Sequence, residues 1–490
     1  MGDALVVGGG VAGMSAALHL RRRGHRVLLL EASDRLGGKL GEYRRDGFRW
    51  DTGPSLLTLP DVLDEVLRLG GLSLADTVTL ERLDPVCRYR FADGTDFDAR
   101  ATEADSAAEV ERLRPGNAAD WHRWHARARR SWEVSRRTFL AGPMAATPAL
   151  ARRMSSPRDL VAIDPLPTLA GRAARTFTDP RLRQWAGRYA TYSGSSPFRA
   201  PATLACISAV EQDGGGWAVR GGLTRLAEAL EQAVRGAGVT VRTGAPVTRL
   251  LTAGGAVTGA VTADGEQHLA GATVVTVDAE RLYADLLPRR RALGRVRAAG
   301  RSSSGFTVLL GLRGRTPGLA HHTVLFPADT RAEFASIHDR GEAPADPTIY
   351  LCRPGASDPE GAPPGDESVM LLVNVPGDGR IDWARTSSAY AAHLLDVLAR
   401  RGVEVRDRVA VLETIDPSDL EARHGARGGA IYGTSSNGRR AAFLRPSNRG
   451  AVPGLFLAGG SSHPGGGLPL VALSGGFAAD LATSSLGGAG

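Results

Sequence analysis

The chemistry-bearing residues begin almost at the N-terminus. Gly8-Gly9-Gly10-Val11-Ala12-Gly13 follows directly on the apolar run Ala4–Val7, giving G-x-G-x-x-G at the end of an expected buried parallel strand. Met14 to Arg23 reads as a helix with Gly24 as its stop, and Arg26 to Leu30 as a second strand ending at Glu31. Gly8 permits the tight turn, Gly10 lets backbone approach a pyrophosphate, and Gly13 lets the helix pack close to the strand. The helix N-terminus then offers free N–H groups and partial positive charge to phosphate. Glu31 lies 18 residues after Gly13, where a carboxylate accepts hydrogen bonds from a ribose diol. A plain strand–helix–strand unit needs neither three glycines nor that acid, so this segment reads as a dinucleotide site.

The residues after Glu31 select the dinucleotide. Ala32-Ser33-Asp34-Arg35-Leu36-Gly37-Gly38-Lys39 sets two glycines between cations, a second wrap for a pyrophosphate with Arg35 placed for a bidentate contact. Gly47 to Asp51, Thr52, Gly53, Pro54 and Ser55 form a further block. Both segments resemble the FAD-binding segments of the flavin amine oxidase and phytoene desaturase superfamily. No second G-x-G-x-x-G exists to hold a nicotinamide, and Gly236-Ala237-Gly238 follows a helix and reads as its stop. The expected cofactor is FAD.

The resemblance continues in two later stretches. A helix over Thr224–Val234, strands over Val239–Arg242 and Pro246–Leu251, and a meander over Val257–Val277 are similar to the superfamily's middle stretch, which implies adenine contact at the Val247 backbone. Gly454–Gly460 reads as a strand running into a glycine turn, followed by Ser461-Ser462-His463-Pro464 and a helix from about Leu470 to Leu481. This resembles the C-terminal flavin block and implies that Gly459, Gly460, Gly467, Leu468 and Pro469 meet the flavin, with the helix dipole stabilising negative charge on the reduced ring. The turn carries Ser461 or Ser462 where many flavoproteins carry an acid.

The elements that must position these residues follow from length and order. A chain of 490 residues is long for one core. The expectation is an α/β protein with a discontinuous Rossmann-type FAD-binding domain over 1–85, 215–290 and 415–490. Residues 86–214 and 291–414 should build an inserted α+β substrate domain with a helical, membrane-facing part. Three dispersed cysteines, Cys87, Cys206 and Cys352, point to free thiols in a reducing cytoplasm. No stretch makes a convincing membrane span, since Gly and Pro interrupt the nearly uncharged Ala451–Ala479 region.

Net charge is +8, and one segment holds all of it. Between Trp121 and Ala190 fourteen arginines, Arg152 and Arg188 among them, face four acids, Glu133, Asp159, Asp164 and Asp179. A solvated helical face and an anionic membrane surface both fit this excess. Nucleic acid does not, because no reading module accompanies the charge.

Gly187-Arg188-Tyr189-Ala190-Thr191-Tyr192-Ser193-Gly194-Ser195-Ser196-Pro197-Phe198, Ala320–Phe326, Asp346–Pro354 and Ile431-Tyr432-Gly433 resemble the bacterial carotenoid desaturases, and among them the 1-hydroxycarotenoid 3,4-desaturase (methoxyneurosporene dehydrogenase) branch. The likeness runs over nearly the whole chain. It implies hydride transfer from a polyene to flavin with proton loss, in a peripherally membrane-associated cytoplasmic enzyme. A strong base is not obligatory, because an allylic cation is delocalised; positioning and water exclusion carry the work. The alternative is an oxidoreductase of the same fold acting on another hydrophobic or amine substrate. His463 is the candidate for a proton role, against a plain turn-fixing role. Tyr189, Tyr192 and Phe198 are the candidate tunnel lining, against ordinary core packing, and Arg188 could polarise a substrate oxygen. His321 and His322, adjacent on an expected strand, should face opposite sides and not hold a metal. His122 and His125 read as surface residues.

Overall fold

The computed structural model describes residues 2–144, 153–154, 156–355, 358–438, 441 and 445–487. Two sheets organise the chain. The first is parallel throughout, with strands in the order Leu455–Leu457, Ala272–Val275, Asp3–Val7, Arg26–Leu30 and Thr240–Arg242. Four of the five residues of Asp3–Val7 and all of Ala272–Val275 are buried, which explains their unbroken apolar character.

The connecting helix spans Val11–Arg22, three residues earlier than the apolar pattern indicates, and Gly10 is its N-cap with φ −70° and ψ 177°. Gly13 therefore sits inside the first turn, where a Cβ would collide with the Gly8 carbonyl oxygen. The helix Leu468–Gly487 lies along it: Gly475 has no room for a Cβ beside Ala12 and Ser15, and Ser15 Oγ donates to Ala472 O at 2.7 Å. By length and composition this last helix could cross a membrane. Its place against Val11–Arg22 makes it a core helix, with Ala472, Ala478, Ala479 and Ala482 fully buried. Thr224–Gly236 packs Leu226, Leu230 and Val234 into the same core.

The second sheet has seven strands in the order Val409–Ile415, Ser304–Leu312, Glu367–Val375, Ile349–Cys352, His322–Leu325, Cys87–Arg90 and Asp96–Ala99. It is antiparallel except where His322–Leu325 runs parallel to Cys87–Arg90. One face carries the Trp383–Arg400 helix. Beside Cys87–Ala99, the helices Glu103–Leu113, Asn117–Phe139 and Pro180–Arg188 enclose an aromatic core in which Trp121 and Trp185 lie 4.4 Å apart. His125 belongs to this core and not to the surface: it is 1% exposed, 4.6 Å from the Trp121 ring. Trp121, Trp124, His125 and Ala128 share one helical face, and that spacing was the available signal. His122 is exposed and meets Glu103.

Glu333 is a buried acid in this region, accepting from Thr348 N at 2.7 Å and Thr348 Oγ1 at 2.8 Å. Burial pushes its carboxyl from 4.5 to about 7, against the pull of those bonds. A raised carboxyl binds its proton in the folded state at pH values where the unfolded chain has lost it. Stability should therefore fall by about 3 kcal/mol as pH rises from about 4.5 to about 7 and then level off. The difference between wild type and Glu333→Gln in urea unfolding across that window should show this slope. A difference that does not change with pH would contradict it.

Candidate active site

The first three glycine-rich segments meet at one end of the parallel sheet. Gly8, at φ 102°, is pinned by Gly8 N to Leu30 O at 2.8 Å. Glu31 stands at the mouth of the loop, with Oε2 accepting from Gly9 N at 2.6 Å and Oε1 from Ser33 N at 2.9 Å. Gly37 N donates to Gly9 O at 2.9 Å, which lays the second glycine pair over the first. A Cβ at Gly10 would meet only the Gly38 Cα, at 3.9 Å, so no side chain stands within 4 Å in that direction. Gly10 offers no capping side chain and no acid stands in the first turn of the helix, so its first N–H groups remain for an anion. These residues fit the diphosphate of FAD.

The other predicted contacts gather around the same loops. Arg35 folds back, Nη1 donating to Leu40 O at 3.1 Å, while Ala32 is exposed beside Glu31. Ala245 N donates to Glu31 O at 2.8 Å and Gly244 N to Ser33 O at 2.7 Å, which brings the Val247 strand alongside the ribose-side acid. Gly53 lies so close to the Lys39 carbonyl that a Cβ there would collide with it, and Pro54 and Ser55 continue along that wall. Lys39 keeps an accessible side chain. Its Nζ donates to Ile431 O at 2.5 Å. Burial lowers its ammonium pKa, and Asp278, whose own carboxyl is raised by burial, opposes that shift.

The C-terminal turn closes the site. Gly459 and Gly467 have φ of 104° and 111°, and a Cβ at Gly467 would meet nothing within 4 Å, so its open side faces free space ahead of Leu468 and Pro469. Gly459 N donates to Ser474 Oγ at 3.1 Å, and Ser461 Oγ accepts from Ala279 N at 2.9 Å. A Cβ on Gly466 would strike the Tyr432 ring, which places Tyr432 directly on this turn. Gly460 has only Gly466 near its Cβ direction, at 3.7 Å.

Three residues that the sequence did not single out hold the turn. Arg445 is buried and donates Nη1 to Gly460 O at 2.6 Å and Tyr432 O at 3.2 Å, and Nη2 to Thr434 O at 2.7 Å; burial lowers its guanidinium pKa to about 10. Asn448 Nδ2 donates to Leu457 O, His463 O and Ser474 Oγ, and Ser474 Oγ donates to His463 O. Only Asn and Ser types within a Gly-rich tail announce these roles, and such types are common there.

His463 itself is 3% exposed, stacks 6.0 Å from Phe477, and has Nε2 3.2 Å from Gly142 O. Burial lowers its pKa to about 4. This arrangement fits the turn-fixing role of the two the sequence left open. Tyr189 is likewise a core residue, 2% exposed against Trp185. Tyr192, Tyr350 and Tyr432 differ: each keeps part of its surface accessible. Tyr350 Oη meets Ser55 Oγ at 2.6 Å, which joins it to the Gly53–Ser55 wall. Phe198 stands farther out, between cavities of about 600 and 850 Å³ that share it with Thr168 and Gly171; neither is lined by the glycine loops.

The two histidines depart from expectation. His321 precedes the strand that His322 opens, so their rings are not on opposite faces but 4.5 Å apart, and with Cys352 they place three possible ligand atoms within 4.8 Å of one another. His322 directs Nδ1 to Val86 O at 3.1 Å and Nε2 to Ser55 O at 3.3 Å, and Cys352 is buried with its thiol pKa pushed up by burial. Those contacts make His322 a tie between the Gly53–Ser55 wall and the second sheet.

Comparison with known proteins agrees with this geometry. The pattern of the family described as flavin containing amine oxidoreductase matches residues 11–483. The chain is 35% identical over 489 residues to the hydroxyneurosporene desaturase of Cereibacter sphaeroides, covering 98% of this chain and 97% of that one. It is 30% identical over 488 residues to the 1-hydroxycarotenoid 3,4-desaturase of a Flavobacterium species, covering 98% and 99%. Among solved structures, wild-type putrescine oxidase bound to putrescine superposes with a TM-score of 0.66 at 16% identity, over 99% of both chains, a likeness of fold.

Proposed function

The chain belongs to the family of flavin containing amine oxidoreductases and is a flavin oxidoreductase with carotenoid desaturases among its homologues, and on that premise we propose that it introduces C=C bonds into an acyclic carotenoid of the 1-hydroxycarotenoid type. The observation that carries this reading is the placement of two tyrosines. Tyr350 is tied to Ser55 on the Gly53–Ser55 wall and Tyr432 stands on the glycine turn at Gly466, so partly accessible aromatic rings adjoin both the glycine-loop side and the C-terminal turn.

FAD, when bound, accepts a hydride from one carbon of the substrate while a proton leaves its neighbour, which turns a C–C bond into C=C. The chain's own residues hold and orient. The Gly8–Gly13 loop and Gly37–Lys39 would hold the diphosphate, Glu31 the ribose, and Val247 the adenine side. Arg445 and Asn448 keep the Gly459–Gly467 turn rigid, so that the reacting carbons stay within reach. The three tyrosine rings exclude water from a carbon framework that carries cationic character as hydride departs.

The substrate is lipid-dissolved, and the surface has a place to meet lipid. Leu160, Val161 and Leu166 are 51%, 67% and 67% exposed, three of the five exposed large apolar side chains among the described residues. Leu166 also lines the smaller cavity at Phe198. Of the basic segment, Arg127, Arg129, Arg137 and Arg172 pair with acids outside their own helices, and Arg181 pairs with Asp179 at the cap of its own helix and with Asp93. Arg130, Arg136, Arg158 and Arg175 are exposed and pair with no carboxylate among the described residues, while Arg152 lies outside them. This apolar cluster with free arginines around it is the proposed dock on an anionic leaflet of the cytoplasmic membrane. Replacing Leu160, Val161 and Leu166 together by serine should weaken flotation with anionic liposomes by at least about tenfold, with flavin content kept. Unchanged flotation would reject the dock. The function is tested by product: liposome-borne acyclic carotenoid should return lighter by two hydrogens and red-shifted. Turnover of amines with no carotenoid turnover would reject the reading.

A further inference from the structure

Arg188 ends the Pro180–Arg188 helix and points inward. Its Nη1 donates to Tyr89 Oη at 2.9 Å, and its guanidinium carbon lies 5.4, 6.0 and 5.2 Å from the ring centres of Tyr89, Tyr189 and Tyr192. Among the described residues it pairs with no carboxylate. Glu211, the acid whose charge reaches it, is 4% exposed and already accepts from Tyr189 Oη at 3.0 Å and Tyr192 Oη at 2.7 Å. Arg188 keeps part of its surface accessible, and of its five N–H donors one is engaged by Tyr89 Oη. Its charge is felt at Tyr432, the ring seated on the flavin-side turn, and at His322.

A cation set among aromatic rings in this way is costly unless its donors are used. The aromatic rings around Arg188 let an apolar chain slide, while Lys39 Nζ and Ser55 Oγ are already engaged by Ile431 O and Tyr350 Oη. We infer that Arg188, held in place by the buried Tyr89 hydroxyl, is a specificity residue that receives an uncharged oxygen at the end of the polyene and so fixes which bond lies against the cofactor. This rests on the reading of the chain as a polyene desaturase. Glu211, one tyrosine away, already balances the charge, so a neutral hydroxyl, ether or carbonyl fits better than a carboxylate. Tyr192, which Arg188 overlies, becomes part of the same grip.

The test uses the FAD-loaded protein and two probes that differ in one group, hydroxyneurosporene and neurosporene, delivered in liposomes under anaerobic conditions. Wild type should favour the hydroxylated probe in kcat/KM by about 10- to 100-fold, the worth of a hydrogen bond to a charged donor. Arg188→Met should collapse that ratio to within about threefold of one, Arg188→Lys should keep part of it, and Tyr89→Phe should reduce it. Tyr89→Phe is nearly isosteric and carries the test if Arg188→Met fails to fold. A ratio kept in Arg188→Met and Tyr89→Phe, with both probes slowed alike, would make Arg188 a packing residue and overturn the inference. So would a wild type indifferent to the hydroxyl, or one that prefers a polyene ending in a carboxylate. Failure of wild type to desaturate either probe would instead overturn the functional reading beneath it.

Discussion

Gly10→Val is expected to give a folded protein that stays colourless when FAD is added. Gly10 has φ −70° and ψ 177°, a conformation open to any residue, and its Cβ direction meets only Gly38 Cα at 3.9 Å. The fold therefore accepts a Cβ at this position; a diphosphate would not, because backbone must approach it closely. An isopropyl group there should weaken FAD at least about 100-fold, about 2.7 kcal/mol. Thermal unfolding without FAD should stay close to that of wild-type apoprotein. Gly13→Ala is the contrasting case, since its Cβ would collide with the Gly8 carbonyl and disturb the fold itself. Titration of each apoprotein with FAD, followed by flavin fluorescence, separates the two effects. Tight binding by Gly10→Val would remove the glycine loop from the account.

The second large effect concerns stability. Glu211→Leu removes the acceptor of two buried hydroxyls, those of Tyr189 and Tyr192, and the counter-charge of Arg188. Breaking such a network from one side costs about 3–5 kcal/mol, because the remaining cation is left uncompensated. Urea unfolding of the holoprotein should show a lower midpoint with an unchanged slope. Adding Arg188→Met to Glu211→Leu should restore at least about 1 kcal/mol, since the two residues are coupled. A Glu211→Leu midpoint equal to that of wild type would show that the carboxylate contributes nothing.

What the sequence revealed and what it hid divide along distance in the chain. The Gly8–Gly13 loop and Glu31 are legible because strand, turn and helix lie within one local unit whose spacing is set by the diphosphate. The helix starts at Val11 and not Met14, with Gly13 packed on the Gly8 carbonyl inside the first turn, a local contact that an apolar pattern misses because glycine carries no hydrophobic signal. The seven-stranded sheet was not readable: Cys87–Arg90 pairs with His322–Leu325 across more than two hundred residues, and nothing in either strand names the other. Arg445, Asn448 and Glu211 were hidden for a similar reason. Their importance lies in carbonyls and hydroxyls brought to them by folding, while their residue types suggest surface or loop. His125 shows the opposite case, read as a surface residue and found packed in an aromatic core, while Tyr189 takes the core-packing side of the two readings its sequence left open.

The measurement closest to the central claim is an anaerobic single turnover of the FAD-loaded protein with a liposome-borne acyclic carotenoid, recording flavin and polyene absorbance together. Flavin bleaching in step with polyene red-shift, one flavin reduced for each C=C formed, is the predicted result. Polyene lengthening over an unbleached flavin, or bleaching by an amine and by no carotenoid, would contradict it.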